Sequence, residues 1–198
     1  ATVVASNFDY PNGLEVGDDD MVYVAEQDAN RVRRINPYTG EDDIIATMTY
    51  AANGVSFSPD YSILYVGSFG GGSIRQIPVD DQGQFGQWEY FVNDNDGAPV
   101  GWGLDGMGVD ACGNVYVCQY VQAVLWRISP DGQTFDVMVN LGDANVQGIP
   151  GAGETEWIPN FQWGSGVGGW DDQTIYLLDI SADKMYEIPA GVREKPRN

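Results

Sequence analysis

The chain of 198 residues contains no histidine, and this absence excludes a large group of catalytic and metal sites. His-based catalytic triads, His-ligated zinc centres and histidine general bases cannot occur. A carboxylate is then the best base that the sequence offers near neutral pH.

Positive charge is scarce as well. Nine Lys and Arg stand against 29 Asp and Glu, which gives a formal net charge of -20. This charge argues against nucleic acid or an anionic membrane surface as a partner and favours the attraction of cations. Carboxylate runs such as the one at 18–20 are typical of solvated turns on an extracellular protein. We therefore expect a secreted, periplasmic or cell-surface location.

Long apolar runs and helical periodicity are missing. No segment has the length of a transmembrane helix and no signal peptide is evident, so we expect no membrane insertion. The start at Ala1 rather than Met indicates a processed or partial product. No window shows the apolar period of a helix, whereas 26 Gly and 12% aromatic residues suit tight turns and stacked sheets. The sequence predicts a single all-β domain over residues 1–198.

Cysteine is limited to Cys112 and Cys118. Cys112 falls in a predicted turn and Cys118 in the next strand of the same hairpin. A flat hairpin would keep the two apart, whereas a bulge would bring them within bridging distance. A disulfide and two free thiols both remain open.

What the sequence does contain is a repeat. A small polar residue, a Gly and an apolar residue follow one another at four places, which start at Asn12, Asn53, Asp105 and Ser165. In each copy a Tyr and an Ile then stand 12 residues apart, in the pairs Tyr23 and Ile35, Tyr65 and Ile77, Tyr116 and Ile128, and Tyr176 and Ile188. The copies start 41, 52 and 60 residues apart, close to the roughly 40–50 residues of a four-stranded propeller blade. The repeat predicts a β-propeller with four blades.

The two ends of the chain indicate how such a ring would close. The first three copies are followed by predicted outer strands at 43–50, 87–92 and 134–141, whereas the fourth ends at Ile188 with only a polar tail. The apolar stretch Thr2–Ala5 is left over before the first copy. We therefore predict that residues 2–5 pair with the strand at 184–188 and close the last blade, which would remove two exposed sheet edges.

The repeat starts also predict a site. The first strand of each blade lines the central channel of a propeller, so the residues that open these strands meet at one mouth. Oxygen-bearing side chains at 12, 53, 105 and 165 would form a ring there, and carboxylate and amide oxygens suit calcium. The alternative is ordinary turn chemistry, because Asn or Asp often precedes Gly at the start of a strand.

Two of the copies resemble a known family. The segments ANGVSFSPD at 52–60 and LDGMGVD at 104–110, with the strands that follow them, are similar to the senescence marker protein, gluconolactonase and luciferin-regenerating-enzyme family. The resemblance implies a six-bladed propeller and a lactone hydrolase that depends on a divalent metal, with calcium expected and zinc or manganese as alternatives. It implies Asn53 and Asp105 as metal ligands, Asp105 also as the general base, and Asn12 as a ligating or substrate-contacting residue.

The chain departs from the family pattern in two respects. No repeat start carries the metal-ligating Glu that the family takes from an earlier blade, and only four blades are visible. Either the ring has four blades, or two N-terminal blades are missing and a partner chain or lost segment covers the open edges.

Further candidates for substrate contact lie around the same mouth. Aromatic side chains there would wall a pocket, and polar residues three positions beyond the strand tyrosines would line its rim. The predicted substrate-binding residues are Glu26, Trp102, Gln119, Trp163 and Ser165. The alternatives are blade-to-blade packing for the aromatic residues and the polar side of an alternating strand for the others.

The resulting hypothesis is a metal-dependent hydrolase that opens small lactones or esters at the channel mouth, with Asp105 as its catalytic residue. The rival hypothesis is a non-catalytic extracellular propeller that acts as a binding or structural module. Retention of Asn53 and Asp105 favours the enzyme, whereas the missing Glu favours the module.

Overall fold

The computed structural model describes residues 1–142 and 157–196. In these ranges it contains 15 strands and one short 3-10 turn at Asp94–Asp96. None of the described residues belongs to a helix long and apolar enough to cross a membrane. The all-β prediction is confirmed.

The strands form four antiparallel sheets in chain order. The first sheet contains β1 (Pro11–Val16), β2 (Val22–Glu26), β3 (Arg31–Ile35) and β4 (Asp42–Thr47). The second contains β5 (Ala52–Phe57), β6 (Ile63–Ser68), β7 (Ser73–Pro78) and β8 (Glu89–Asn93). The third contains β9 (Leu104–Val109), β10 (Val115–Gln119), β11 (Val124–Ile128) and β12 (Phe135–Asn140). The fourth contains β13 (Phe161–Trp163), β14 (Thr174–Asp179) and β15 (Lys184–Pro189).

These sheets are the four predicted blades of a β-propeller. The first strands of neighbouring blades lie side by side, with β5 between β1 and β9. Each predicted Tyr lies on the second strand of its blade and each predicted Ile on or at the end of the third, so the spacing of 12 residues follows from one hairpin repeated four times.

The core lies between the blades rather than within one of them. Three apolar clusters join the first blade to the second, the second to the third, and the third to the fourth. Tyr116 of β10 shows how a repeat tyrosine is held: its ring is fully buried and its hydroxyl donates to Asp110 Oδ2 at 3.2 Å. A buried Tyr needs such an acceptor, which explains why an Asp precedes this strand.

The predicted closure by Thr2–Ala5 requires correction. The fourth sheet has three strands, and β15 pairs with β14 alone among the described residues. Residues 3–5 instead line a cavity against the first blade, together with Leu14 and Val24. The apolar segment is thus held by contact with the apolar side chains of blade one and not by backbone pairing with blade four.

The cysteine question, which the sequence left open, has a clear answer. Cys112 is exposed, Cys118 is buried, and both are free thiols. Burial, followed by the charge of Asp105, raises the pKa of the Cys118 thiol well above its ordinary value. Cys118 is therefore a small apolar core residue and not a reactive thiol.

Candidate functional site

One cavity lies where the inner strands of the four blades meet. Its volume is about 230 Å³, and Asn12, Asn53 and Asp105 all line it. The structure thus brings together the three residues predicted as metal ligands, which are separated by 41 and 52 positions in the sequence. Their roles remain predictions, but their convergence is observed.

The glycine after each of these residues allows the convergence. A Cβ on Gly13 would lie 2.2 Å from the Asn53 carbonyl oxygen, and a Cβ on Gly54 would lie 2.3 Å from the Asp105 carbonyl oxygen. Neither glycine has a positive φ, and both lie within strands, at an irregular pairing step. The alternative interpretation, in which these dipeptides form ordinary turns, is therefore wrong. Each glycine lets the next inner strand approach, and the bulge turns the preceding side chain toward the axis.

An equivalent close approach between the third and fourth blades identifies Asn160 as the polar residue that the fourth blade contributes to the cavity. A Cβ on Gly106 would lie 2.4 Å from Asn160 Oδ1, and Asn160 lines the cavity. Ser165 was predicted for this place, and that prediction is wrong. Ser165 is exposed in the loop between β13 and β14, where its Oγ interacts with the backbone of Val167. Sequence reasoning missed Asn160 because Phe161, and not Gly, follows it.

Asn53 has a buried oxygen that lacks a partner. The residue is 1% exposed, and its Oδ1 finds no hydrogen-bond partner in the part of the chain that the structure describes. An unsatisfied buried carbonyl costs about 1–3 kcal/mol of stability. Because Asn53 also lines the axial cavity, a cation or a hydrogen-bond donor that reached this oxygen would relieve the cost.

Asp105 supplies the charge at the site. Burial raises the pKa of its carboxyl group to about 6, and a hydrogen bond with Asn53 opposes this rise. The side chain is half-buried, so one face remains open to the cavity. A carboxylate in this setting is a stronger base than an ordinary surface aspartate.

Gln27 is a site residue that sequence reasoning did not identify. It follows β2 directly, and its Oε1 accepts hydrogen bonds from Asn12 Nδ2 and Asn53 Nδ2, each at 3.1 Å. These contacts join residues of two blades. Gln27 is therefore the structural link between the two asparagines.

The residues of the cavity fit a hard cation. Calcium prefers oxygen ligands, and the cavity offers the Asp105 carboxylate, the unpartnered Asn53 carbonyl and the Asn12 amide. The described residues contain no group of three or more Asp, Glu, Cys or His side chains placed to hold a metal. A calcium site here therefore depends on amide oxygens and a single formal charge.

The structure contradicts the interpretation of Glu26 as a rim residue. Glu26 is fully buried and accepts a hydrogen bond from Asp9 N at 2.7 Å. Its carboxylate pairs with Arg31, and Arg33 Nη1 lies 3.6 Å from Oε1. Burial opposes ionisation, but these hydrogen bonds and charges outweigh it, so the pKa of Glu26 lies below its ordinary value. Glu26 is an internal ion-pair residue and does not face the cavity.

Trp163 packs between blades, as the alternative interpretation of the aromatic residues predicts, and Gln119 is likewise buried. Gln119 is 6% exposed, and its Oε1 accepts a hydrogen bond from Trp126 Nε1 at 2.9 Å. Trp163 is 5% exposed, packs edge-on against Tyr116, and donates from Nε1 to the Val192 carbonyl at 3.0 Å. The substrate-binding prediction is therefore not supported for either residue by its contacts.

Trp102 differs from these because it is 49% exposed. Its ring meets Phe69 edge-on with centroids 6.0 Å apart, and Phe69 in turn lies 5.9 Å from the ring of Tyr120. Trp157 stacks on Tyr120 at a centroid distance of 5.9 Å. The charge of Asp105 contributes, after burial, to a raised pKa of Tyr120, so this aromatic group is close to the site. Trp102 stays a candidate for substrate contact.

Comparison with known proteins identifies a family. Residues 16–146 match the family described as SMP-30/Gluconolactonase/LRE-like region. Among curated relatives, the 6-deoxy-6-sulfogluconolactonase of Pseudomonas putida is 29% identical over 96 residues, which are 47% of this chain and 31% of that protein. The chain thus spans about a third of the length of this relative.

Solved structures of similar shape include a gluconolactonase and a calcium-binding protein. A gluconolactonase from Xanthomonas campestris matches with a TM-score of 0.69 and 18% identity, over 92% of this chain and 58% of that one. The calcium-binding protein regucalcin from Agrobacterium tumefaciens matches with a TM-score of 0.68 and 16% identity, over 94% of this chain and 62% of that one. At these identities the likeness establishes the propeller fold.

Proposed function

The chain belongs to the SMP-30/gluconolactonase/LRE-like family, and on this premise we propose that it hydrolyses small lactones at the axial cavity, with calcium as the bound cation. The observation that carries the proposal is the buried Asn53 Oδ1, which lacks a partner beside the half-buried carboxylate of Asp105. Among the buried side-chain atoms that lack a partner in the described residues, Asn53 Oδ1 belongs to a residue that lines this cavity.

The cation is proposed from the donors. Asp105, Asn53 and Asn12 would hold it, and Asn160 stands at the remaining side of the same cavity. A calcium ion bound here would polarise the lactone carbonyl and stabilise negative charge on its oxygen. Because a single carboxylate contributes formal charge, we expect weak affinity, with a Kd of about 10⁻⁴–10⁻³ M. The net charge of -20 favours accumulation of cations around the protein.

Asp105 is proposed as the general base. It takes a proton from water as the water oxygen bonds to the lactone carbonyl carbon. The ring C–O bond then breaks, and the same proton passes to the departing ring oxygen, so that the product is an open hydroxy acid. The half-buried side chain of Asp105 lines the cavity, and this position beside a lactone bound there supports the role.

The proposal is tested by following acid release from D-glucono-1,5-lactone above its spontaneous rate. Wild type is compared with Asp105→Asn in calcium, zinc or manganese and in chelator. Asp105→Asn keeps the shape and an oxygen ligand while removing the charge, so turnover should fall roughly 10²–10⁴-fold with the fold retained. Asp94→Asn, in the exposed 3-10 turn, is the matched control and should retain full turnover.

Two results would count against the proposal in different ways. If wild type hydrolyses no lactone with any of the three cations, the enzyme hypothesis is wrong and the non-catalytic binding or structural module is the function that the fold supports. Equal turnover by wild type and Asp105→Asn would keep the enzyme but remove Asp105 from its chemistry.

A further inference from the structure

Gln27 occupies a position at which the repeat otherwise carries an aromatic or aliphatic residue. It stands four residues after Tyr23, and the matching places in the other copies hold Phe69, Tyr120 and Ile180. Its backbone is fixed on both sides: its N–H donates to the Tyr10 carbonyl at 2.9 Å, and its carbonyl accepts from Asn30 N at 3.3 Å. The side chain therefore starts from a defined point beside the axis.

The Gln27 side chain contacts the two asparagines through one atom. Oε1 accepts from Asn12 Nδ2 and from Asn53 Nδ2, both at 3.1 Å. A carbonyl oxygen has two lone pairs, so it can accept both hydrogen bonds at once. The acceptor is shared between β1 and β5, which carry the first two proposed ligands.

This contact decides which end of each amide points away from Gln27. The NH₂ and carbonyl ends of an asparagine side chain have opposite polarity and nearly equal size. With the NH₂ group of Asn53 held by Gln27, its Oδ1 lies on the other side, buried and without a partner among the described residues. A flipped amide would set two carbonyl oxygens against each other and would present a donor, which repels a cation.

We propose that Gln27 is a positioning residue that orients the amides of Asn12 and Asn53 so that their carbonyl oxygens, and not their NH₂ groups, face the cation. This inference rests on the proposed function, because it assigns Gln27 to the same cation site. Residues that orient metal ligands without touching the metal commonly change affinity by about 10–100-fold when they are replaced.

The test measures how far calcium raises the unfolding midpoint of each variant. Wild type, Gln27→Met and Gln27→Glu are heated in chelator and in calcium chloride at about 10 mM, which exceeds the Kd expected for a site with one carboxylate. Gln27→Met removes the acceptor and should lose most of the calcium-dependent rise. Gln27→Glu still accepts from both amides and should keep it. Gln76→Met is the matched control, since Gln76 pairs with Glu89 on the exposed face of the second blade, and it should also keep the rise.

The calcium-dependent rise separates positioning from mere structural support. A structural role would lower the midpoint of Gln27→Met equally with and without calcium, and an unchanged rise in this variant would overturn the inference while leaving the proposed function intact. A wild type that shows no rise would instead overturn the cation site, and the inference with it.

A second variant keeps the test decisive if Gln27→Met folds poorly. Asn53→Asp places an oxygen at both ends of the side chain, so it needs no orienting partner. Replacing Gln27 by Met should therefore reduce the calcium-dependent rise less in the Asn53→Asp background than in wild type, because only Asn12 then loses its orienting partner. If the rise of the double variant were as small as that of Gln27→Met, the orientation inference would be wrong.

Discussion

Replacing Gly54 with alanine should force apart the inner strands of the second and third blades. The added Cβ would lie 2.3 Å from the Asp105 carbonyl oxygen and 2.6 Å from Met107 Cγ. Gly54 does not have a positive φ, so alanine meets no backbone strain of its own. The whole effect is therefore a collision with the neighbouring strand, and its first obstacle is backbone that cannot rotate away.

The expected cost follows from this geometry. Overpacking by a methyl group typically destabilises a protein by about 1–3 kcal/mol. For a domain of this size each kcal/mol lowers the unfolding midpoint by roughly 2–4 °C, so Gly54→Ala should lower it by about 2–12 °C. Because β9 carries Asp105, the displacement should also weaken the calcium-dependent rise of the midpoint.

Gly70 provides the matched control. It too lacks a positive φ, and an added Cβ would have its nearest neighbours at 3.9 Å. Gly70→Ala should therefore change stability by less than about 1 kcal/mol, in the stabilising direction if the unfolded chain loses freedom. The measurement is thermal unfolding followed by circular dichroism for both variants. Equal midpoints for Gly54→Ala and Gly70→Ala would refute the close approach of β5 and β9 as the reason for this glycine.

Two ion pairs give further predictions. Glu26→Gln breaks a buried pair with Arg31 and Arg33 and should cost about 3 kcal/mol near neutral pH. The folded pKa of Glu26 lies below its ordinary value of 4.5, so the stabilisation by its charge is present above pH 4.5 and is lost as the pH falls through the folded pKa. Urea unfolding at a series of pH values should therefore show the stabilities of wild type and Glu26→Gln converging in acid. Lys195→Met leaves Glu15 without the fully buried ammonium group 3.3 Å away and should also cost about 3 kcal/mol. Addition of Glu15→Gln should recover part of this loss in urea unfolding, and strictly additive losses would contradict the pairing.

The repeat predicted the architecture because its spacing reflects the geometry of a single hairpin within each blade. A Tyr and an Ile 12 residues apart are two points of one hairpin, and four copies of a hairpin imply four blades. Asn53 and Asp105 were found by the same means, since the glycine that follows each one marks the close approach of inner strands. Phe161 follows Asn160 in place of that glycine, so the sequence pattern does not mark Asn160. The pattern indicates Ser165 instead, because Gly166 follows it.

Other features depend on contacts that no local pattern contains. Gln27 meets its partners across 15 and 26 positions, and only the ring arrangement brings β1 and β5 together. The apolar stretch at 2–5 was compatible with a strand, but packing against the first blade decided its place. For Glu26 a sequence marker did exist, since Arg31, Arg33 and Arg34 are three of only nine basic residues in the chain. Such a concentration of positive charge in one strand indicates a local acidic partner.

The most direct measurement is anomalous diffraction from crystals of the protein grown with calcium. We expect one peak in the axial cavity, about 2.3–2.6 Å from Asn53 Oδ1 and from the Asp105 carboxylate. Crystals of Asp105→Asn under the same conditions should show this peak weakened or lost. Wild-type density with no peak in the cavity, or with calcium bound only at surface carboxylates, would contradict the proposed site.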